Sequence, residues 1–264
     1  MKKSLEISNG IALIITIIIN YVSNTGILNG NTMAIISAKY QNYFTPAGYA
    51  FSIWGLIYIG LFAFIIYGAK GLFVEKPRHE VIVQKIGWWF LISCIANSLW
   101  VFAWLYEFIG ISVIIMSILL LSLFKILGIL RAHQLPKSMA EIWCIYFPFS
   151  IYAGWISVAF FADLSAFYTK INENIFGLSD INMSISFIII AAVLHVYMVW
   201  KQNSYAFSFV GIWALIAIAV ANWTENQTIV YASLIAASII FISILLHFFL
   251  SKKSSSNQTE FSYK

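Results

Sequence analysis

FTPAGYAFSIWGLIYIGLFAFIIY, residues Phe44–Tyr67, is the stretch on which the fold turns. A proline leads into it and no charged residue interrupts it. Phe51, Trp54, Tyr58 and Phe62 fall at i, i+3, i+7 and i+11, so a helix carries all four on one face. A span that only had to sit in lipid could be leucine and isoleucine. This one carries flat, rigid rings, two of them with a polar handle. Such a stripe is either a wall for a flat apolar ligand or an aromatic helix–helix contact.

The rest of the chain sets the solvent. Of 264 residues, 61% are hydrophobic and 9% charged, with a mean hydropathy of +0.88. A soluble domain carries about 25% charged residues, so lipid is the outer solvent here. The reading is an all-α polytopic helical membrane bundle. A spanning helix needs about 20 mostly apolar residues. Such runs occur eight times, at about 8–26, 46–67, 86–106, 108–130, 142–162, 183–200, 204–221 and 229–250. The seventh is short and rich in Ala and Gly, which suits close packing. Spans three and four meet at Glu107 and Gly110 with almost no connection, as an antiparallel hairpin. A short helix is expected at Met33–Tyr40 in the first long loop. Beyond Lys253 the polar tail is expected to be disordered.

Charge gives orientation. With the N-terminus inside, Lys2, Lys3, Lys70, Lys76, Arg78, Lys85, Lys125, Arg131, Lys137, Lys201, Lys252, Lys253 and Lys264 are cytoplasmic. Only Lys39 and Lys170 are outside, a split of 13 to 2 that accounts for all 15 basic residues. Eight spans with both termini cytoplasmic follow, and a bacterial inner (plasma) membrane is the expected location. The net charge of +5 thus records topology and gives no nucleic-acid surface. No small-x-small cleavage site follows Asn20, so the first span is expected to be retained. Cys94 and Cys144 lie in apolar runs and read as packing residues.

Two further spans carry stripes. Phe90, Ser93, Asn97, Trp100 and Trp104 share a face of span three; Pro148, Tyr152, Trp155 and Ala159 share one of span five. At 1.5 Å per residue from the outer boundary, Trp54, Trp100 and Trp155 lie about 10–12 Å deep, with Tyr58, Asn97 and Tyr152 about 15–18 Å deep. Tryptophan ordinarily sits at the headgroups, and a buried Asn needs a partner, a cavity or water. The pattern describes an outward-opening pocket with an aromatic upper ring over a polar layer. Its alternative is a tight aromatic interface with Asn97 bonded across helices. Pro148 is expected to bend its span, because it removes a donor from the Cys144 carbonyl.

The same residues carry a family resemblance. Ile53-Trp54-Gly55-Leu56-Ile57-Tyr58, Asn97-Ser98-Leu99-Trp100 and Trp155-Ile-Ser-Val-Ala159 resemble, in order, the motifs of helices two, three and five of the TspO/MBR family of tryptophan-rich sensory, or translocator, proteins. The chain departs from the pattern at Ser52 and Asp163, in having Pro46 alone where the family has two prolines, and in the seven-residue step from Pro148 to Trp155. The resemblance covers roughly residues 1–170. It implies a five-helix membrane core over 1–170; the apolar runs add three further transmembrane helices over 171–250, which have no counterpart in the resemblance, and a polar cytoplasmic tail follows over 251–264. It further implies binding of tetrapyrroles such as protoporphyrin or heme, or of sterol-like molecules, with Trp54 and Trp155 at positions that contact ligand. The expected ligand-binding set is Phe51, Trp54, Tyr58, Asn97, Trp100, Tyr152 and Trp155. No cofactor is required, and a tetrapyrrole would be a ligand. The partners are a hydrophobic small molecule and membrane lipid, with no nucleic acid; homodimerisation is left open.

Other constellations point elsewhere less strongly. His195 and His247 lie at similar depth and could ligate heme only if their rings face each other. Lys125 can snorkel toward Arg131, which disfavours a Schiff base. Asp163 and Glu107, at the outer boundary, read as solvated caps. No phosphate loop, zinc cluster or nucleophile elbow is present, so an enzyme is not expected; light-dependent porphyrin degradation is the one activity the resemblance leaves in view. The alternatives from other classes are a secondary transporter of a small hydrophobic solute, which should show broken helices and midplane ion sites, and a structural membrane protein. The charge split makes a direct test. Alkaline-phosphatase fusions after Lys39 and Lys170 should be active, and those after Lys76, Lys137 and Lys252 inactive. Activity at Lys252 would require an odd number of crossings and overturn the topology.

Overall fold

In hydrocarbon a backbone must satisfy its own hydrogen bonds, and among the described residues each of the eight apolar runs does so chiefly as helix. The computed structural model describes residues 2–69, 80–132, 138–171 and 177–262, with side chains described for 4–69, 82–132, 138–171 and 177–252. Lys70, Lys76, Arg78, Lys137 and Lys264 lie outside the described residues. Nine helices are present among the described residues: α1 (Lys2–Val22), α2 (Met33–Lys39), α3 (Ile53–Ala69), α4 (Glu80–Leu105), α5 (Ile109–Ala132), α6 (Met139–Ile171), α7 (Asp180–Gln202), α8 (Tyr205–Ala221) and α9 (Gln227–Ser262). A 3-10 turn, Gly48–Ser52, leads into α3.

Seven of these segments are long and apolar enough to cross a membrane. The eighth expected span, α8, has 17 residues and falls just short of that length. Several boundaries differ from those read in the sequence: α1 and α4 begin at Lys2 and Glu80, each before its apolar run, and α3 begins only at Ile53, after the 3-10 turn. Helix α1 stops at Val22, before Asn24 and Thr25 turn the chain. Helix α6 continues nine residues past 162 to Ile171, which draws Asp163 inside the helix. Helix α9 runs on through the polar tail to Ser262, where no Gly or Pro interrupts it.

Helix α6 is central. Pro148 through Val158 is buried without a break, the mark of a helix enclosed on all sides. It packs against α3, α5, α7 and α8, while α4 bridges α1 and α5, and α9 covers α7 and α8. Small residues permit the closest approaches. A Cβ on Gly154 would stand 2.7 Å from the Phe207 carbonyl oxygen of α8, and one on Gly60 of α3 would stand 3.0 Å from Pro148 Cβ. Just before Pro148 the helix carries a π turn over Ile142–Tyr146, in which the Phe147 N–H reaches back to the Ile142 carbonyl. Phe64, Phe90 and Phe149 form a buried knot of edge-to-face rings with centroids 4.9–5.8 Å apart, so spans two, three and five converge there.

The first long loop is strapped to the bundle at both ends. Helix α2 lies where a short helix was expected, and its N-cap Thr32 Oγ1 accepts from the Ile35 N–H. The Asn29 and Asn31 amides donate to the Leu105 carbonyl. Phe44 is fully buried, edge-on to Phe161 and Phe187. The Ala47 N–H donates to the Ala217 carbonyl at 3.0 Å, the Trp213 indole to Ala50, and the Asn222 amide to Tyr43. These last contacts tie the loop to α8.

The α4–α5 hairpin closes with paired bonds, Phe108 N–H to the Ala103 carbonyl and Glu107 N–H to that of Trp104, around Glu107 at φ 62°. This is the Schellman arrangement with Glu at the left-handed position that usually holds Gly. The side chain gives the reason. Its Oε2 accepts from Lys39 Nζ at 2.5 Å and from the Tyr40 hydroxyl at 2.6 Å, and Lys170 Nζ donates to its carbonyl. Glu107 therefore anchors the loop and is no simple solvated cap. The Lys39 bond first, and the Tyr40 bond with it, hold its carboxyl below the usual range, while burial and the adjacent carboxylate push Tyr40 up to about 12.

A depressed carboxyl gives a tie that is complete above the ordinary Glu range, about 4.3, and lost as pH falls through the folded value. Amide exchange of residues 38–40, corrected for intrinsic rate, should therefore lose protection on acidification below about pH 4. Glu107→Gln should lose it already at neutral pH; unchanged protection would remove the tie from the account. Gly154→Ala should destabilise the bundle by about 1–3 kcal/mol in mixed-micelle unfolding, because a backbone carbonyl must give way. Gly128→Ala, where a Cβ meets nothing within 4 Å, should not.

Candidate functional site

One turn of α3 separates Trp54 from Tyr58, and their rings stack at 5.4 Å and 22°. Tyr152 of α6 meets Trp54 edge-on at 5.8 Å. One turn further along α6, Trp155 meets Phe51 of the 3-10 turn edge-on at 5.7 Å. Tyr152 and Trp155 are buried, Trp54 and Tyr58 half-buried, and Phe51 is 37% exposed, so Phe51 sits at the rim.

Beneath the rings runs a chain of hydrogen bonds across three helices. Asn97 of α4 is fully buried; its amide donates to the Tyr152 hydroxyl at 3.0 Å, and its Oδ1 accepts from the Asn20 amide of α1 at 2.7 Å. The Thr16 hydroxyl, one turn back on α1, donates to the Cys94 carbonyl and lies 3.2 Å from Ser98 Oγ. Sequence reasoning missed Asn20 and Thr16. The signal was present: two polar residues at i and i+4 in an isoleucine-rich span can share a face, as Asn97 and Ser93 do.

Two donors of this cluster remain unused. The Tyr58 hydroxyl and the Trp155 indole nitrogen are buried and have no hydrogen-bond partner among the described residues. A buried donor left unpaired costs about 1–3 kcal/mol.

Trp100 goes elsewhere. Its ring stacks on Trp104 at 5.8 Å, and its indole N–H donates to Asp163 Oδ2 at 3.1 Å. Ser112 of α5 donates to Asp163 Oδ1 at 2.7 Å. Asp163 is 2% exposed, so the expectation of a solvated cap is corrected. The continuation of α6 past 162 buries it between α4 and α5. The structure thus brings Phe51, Trp54, Tyr58, Asn97, Tyr152 and Trp155 together and sets Trp100 in a second polar knot.

The two histidines and Lys125 stand apart from one another, although His195 Nε2 is buried without a hydrogen-bond partner among the described residues. His195 Nδ1 lies 2.7 Å from the Ala191 carbonyl with its ring against Phe207. His247 Nδ1 lies 2.8 Å from the Tyr205 hydroxyl with its ring against Trp200. Lys125 Nζ stands 5.9 Å above the Trp89 ring. No group of three or more His, Cys, Asp or Glu suited to a metal occurs among the described residues. Cys94 and Cys144 are both free.

No curated protein and no solved structure matches the chain. The sequence pattern of the TSPO-like protein family matches residues 6–246. It takes in α7, α8 and most of α9, so the likeness does not stop near residue 170, where the motifs alone had placed its end. With the match covering the first seven expected spans and most of the eighth, the chain belongs to the TSPO-like protein family.

Proposed function

We propose that this protein binds a flat hydrophobic ligand, a tetrapyrrole such as protoporphyrin or heme, at the cluster of Phe51, Trp54, Tyr58, Tyr152 and Trp155. It does so as a sensor, scavenger or carrier. Membership of the TSPO-like family suggests a membrane protein that binds hydrophobic ligands. The observation that carries the finer reading is the pair of unused donors. Tyr58 and Trp155 each bury an N–H or O–H among aromatic faces, where packing alone would favour Phe. A macrocycle offers both a face to stack and acceptors to take those protons. It enters by parting the edge-to-face contacts of Phe51 with Trp155 and Trp54 with Tyr152, worth about 0.5–1.5 kcal/mol each. That cost is small beside the roughly 8 kcal/mol of a micromolar site. The family is in general non-enzymatic, and the reading is of a binder. The basic residues support both termini on the cytoplasmic side of an inner membrane, with the cluster nearer the outer face.

The buried Asp163 gives one observation in favour of a carrier. It is a carboxylate held by two neutral donors inside a spanning helix, the kind of group that coupled transport uses. Asp163→Asn would then abolish accumulation of ligand in vesicles while leaving binding intact.

Binding is tested by titrating purified protein with protoporphyrin and following tryptophan quenching. Trp54→Ala, at the half-buried wall, and Trp155→Phe, which keeps most of the packing and removes the indole N–H, should each weaken affinity several-fold to about tenfold, with little change in thermal stability. Trp88→Ala, an exposed ring on α4, should leave affinity unchanged. Absence of binding by the native protein, together with collapse of the first two variants, would make the aromatic faces packing only.

A further inference from the structure

A cavity of about 530 Å³ lies at the opposite end of the bundle from Phe51, where α5, α6, α7 and the α7–α8 turn meet. Its size falls within the range of about 300–1,000 Å³ typical of small-molecule sites. None of its lining residues belongs to the aromatic cluster. One part of the wall is apolar, with Leu127, Phe147 and Met198 among its side chains. The other part carries Arg131 and Lys201, from the last turns of α5 and α7.

Cations in last turns serve the helix dipoles and the membrane interface, and either residue alone would need no other account. Here both line one cavity, and neither makes an ion pair among the described residues. Several nearby polar groups are already engaged. Glu141 is buried in its capping box with Ser138, Tyr205 bonds His247, and Ser204 donates to Ser150. The π turn Ile142–Tyr146 shapes the α6 wall, since Ile142 and Tyr146 line it, and such turns recur at binding sites.

The geometry points to a second binding site, for an anionic amphiphile: one acidic head, phosphate or carboxylate, on Arg131 and Lys201, with an apolar tail against Leu127, Phe147 and Met198. Guanidinium and ammonium groups at headgroup depth take such heads, and the apolar wall distinguishes the site from a merely basic surface. The proposal does not depend on the tetrapyrrole reading, because the two sites share no residue.

Native mass spectrometry of the intact protein in neutral detergent tests it. The probes are phosphatidylglycerol, phosphatidylcholine, palmitate and inorganic phosphate. Retention of phosphatidylglycerol or palmitate over phosphatidylcholine is expected, and which of the two is held distinguishes a membrane lipid from a free acid. The double variant Arg131→Gln/Lys201→Gln should lower retention about tenfold or more. Ala206→Phe should do the same by filling the cavity without changing its charge, while Lys252→Gln should do nothing. Equal retention of phosphatidylcholine would overturn the proposal. So would phosphate held as tightly as the amphiphiles, or a preference unmoved by the two lining variants.

Discussion

Lipid tails are as apolar as leucine, so helices in a membrane associate through the closeness of their contacts and the bonds they exchange. In this chain those contacts converge on α6. Gly154 lets the helix approach the backbone of α8, Gly60 lets α3 approach Pro148, and the Phe64–Phe90–Phe149 knot brings in α4. The aromatic cluster depends on this arrangement. Tyr152 and Trp155 come from the fully enclosed part of α6, so their positions are set by packing on every side. Trp54 and Phe51 come from α3 and its lead-in turn, at the more exposed edge. The site has one rigid wall and one that can yield.

The hydrogen-bond chain Asn20–Asn97–Tyr152 orients the rigid wall. In hydrocarbon these groups have no water to turn to, so each fixes the next, and the Tyr152 ring is held by a bond to its hydroxyl as well as by its neighbours. The Asp163 knot does the same for Trp100, one turn further toward the loop. Two polar networks thus hold α4 against α6, one joined to α1 and one to α5.

What could be read in the sequence was whatever depends on period and composition. The apolar runs marked the spans, the helical spacing of Trp54 and Tyr58 put them on one face, and the missing linker at Glu107 marked the hairpin. The depth of Asn97 relative to Tyr152 foreshadowed their bond. What escaped was whatever depends on a partner's direction. Helical spacing placed Trp100 beside Asn97, yet its indole turns to Asp163, whose burial follows from a helix that runs nine residues past the apolar stretch. The anchoring of the first loop to Ala217 and Asn222 joins residues more than 160 positions apart, and no local pattern announces it.

The shortness of α8 has a mechanical consequence. At 1.5 Å per residue its 17 residues reach only about 25 Å, against roughly 30 Å of hydrocarbon. Phe209, Trp213, Ile216 and Val220 form an exposed stripe along it, so the surrounding lipid feels the mismatch directly. A bilayer adapts by thinning locally, at fractions of a kcal/mol per Å. The end of α8 that would be pulled is the end that holds Tyr43 and Ala47. A thicker bilayer therefore raises the mismatch at the helix end that anchors the first loop, and a thinner one relieves it.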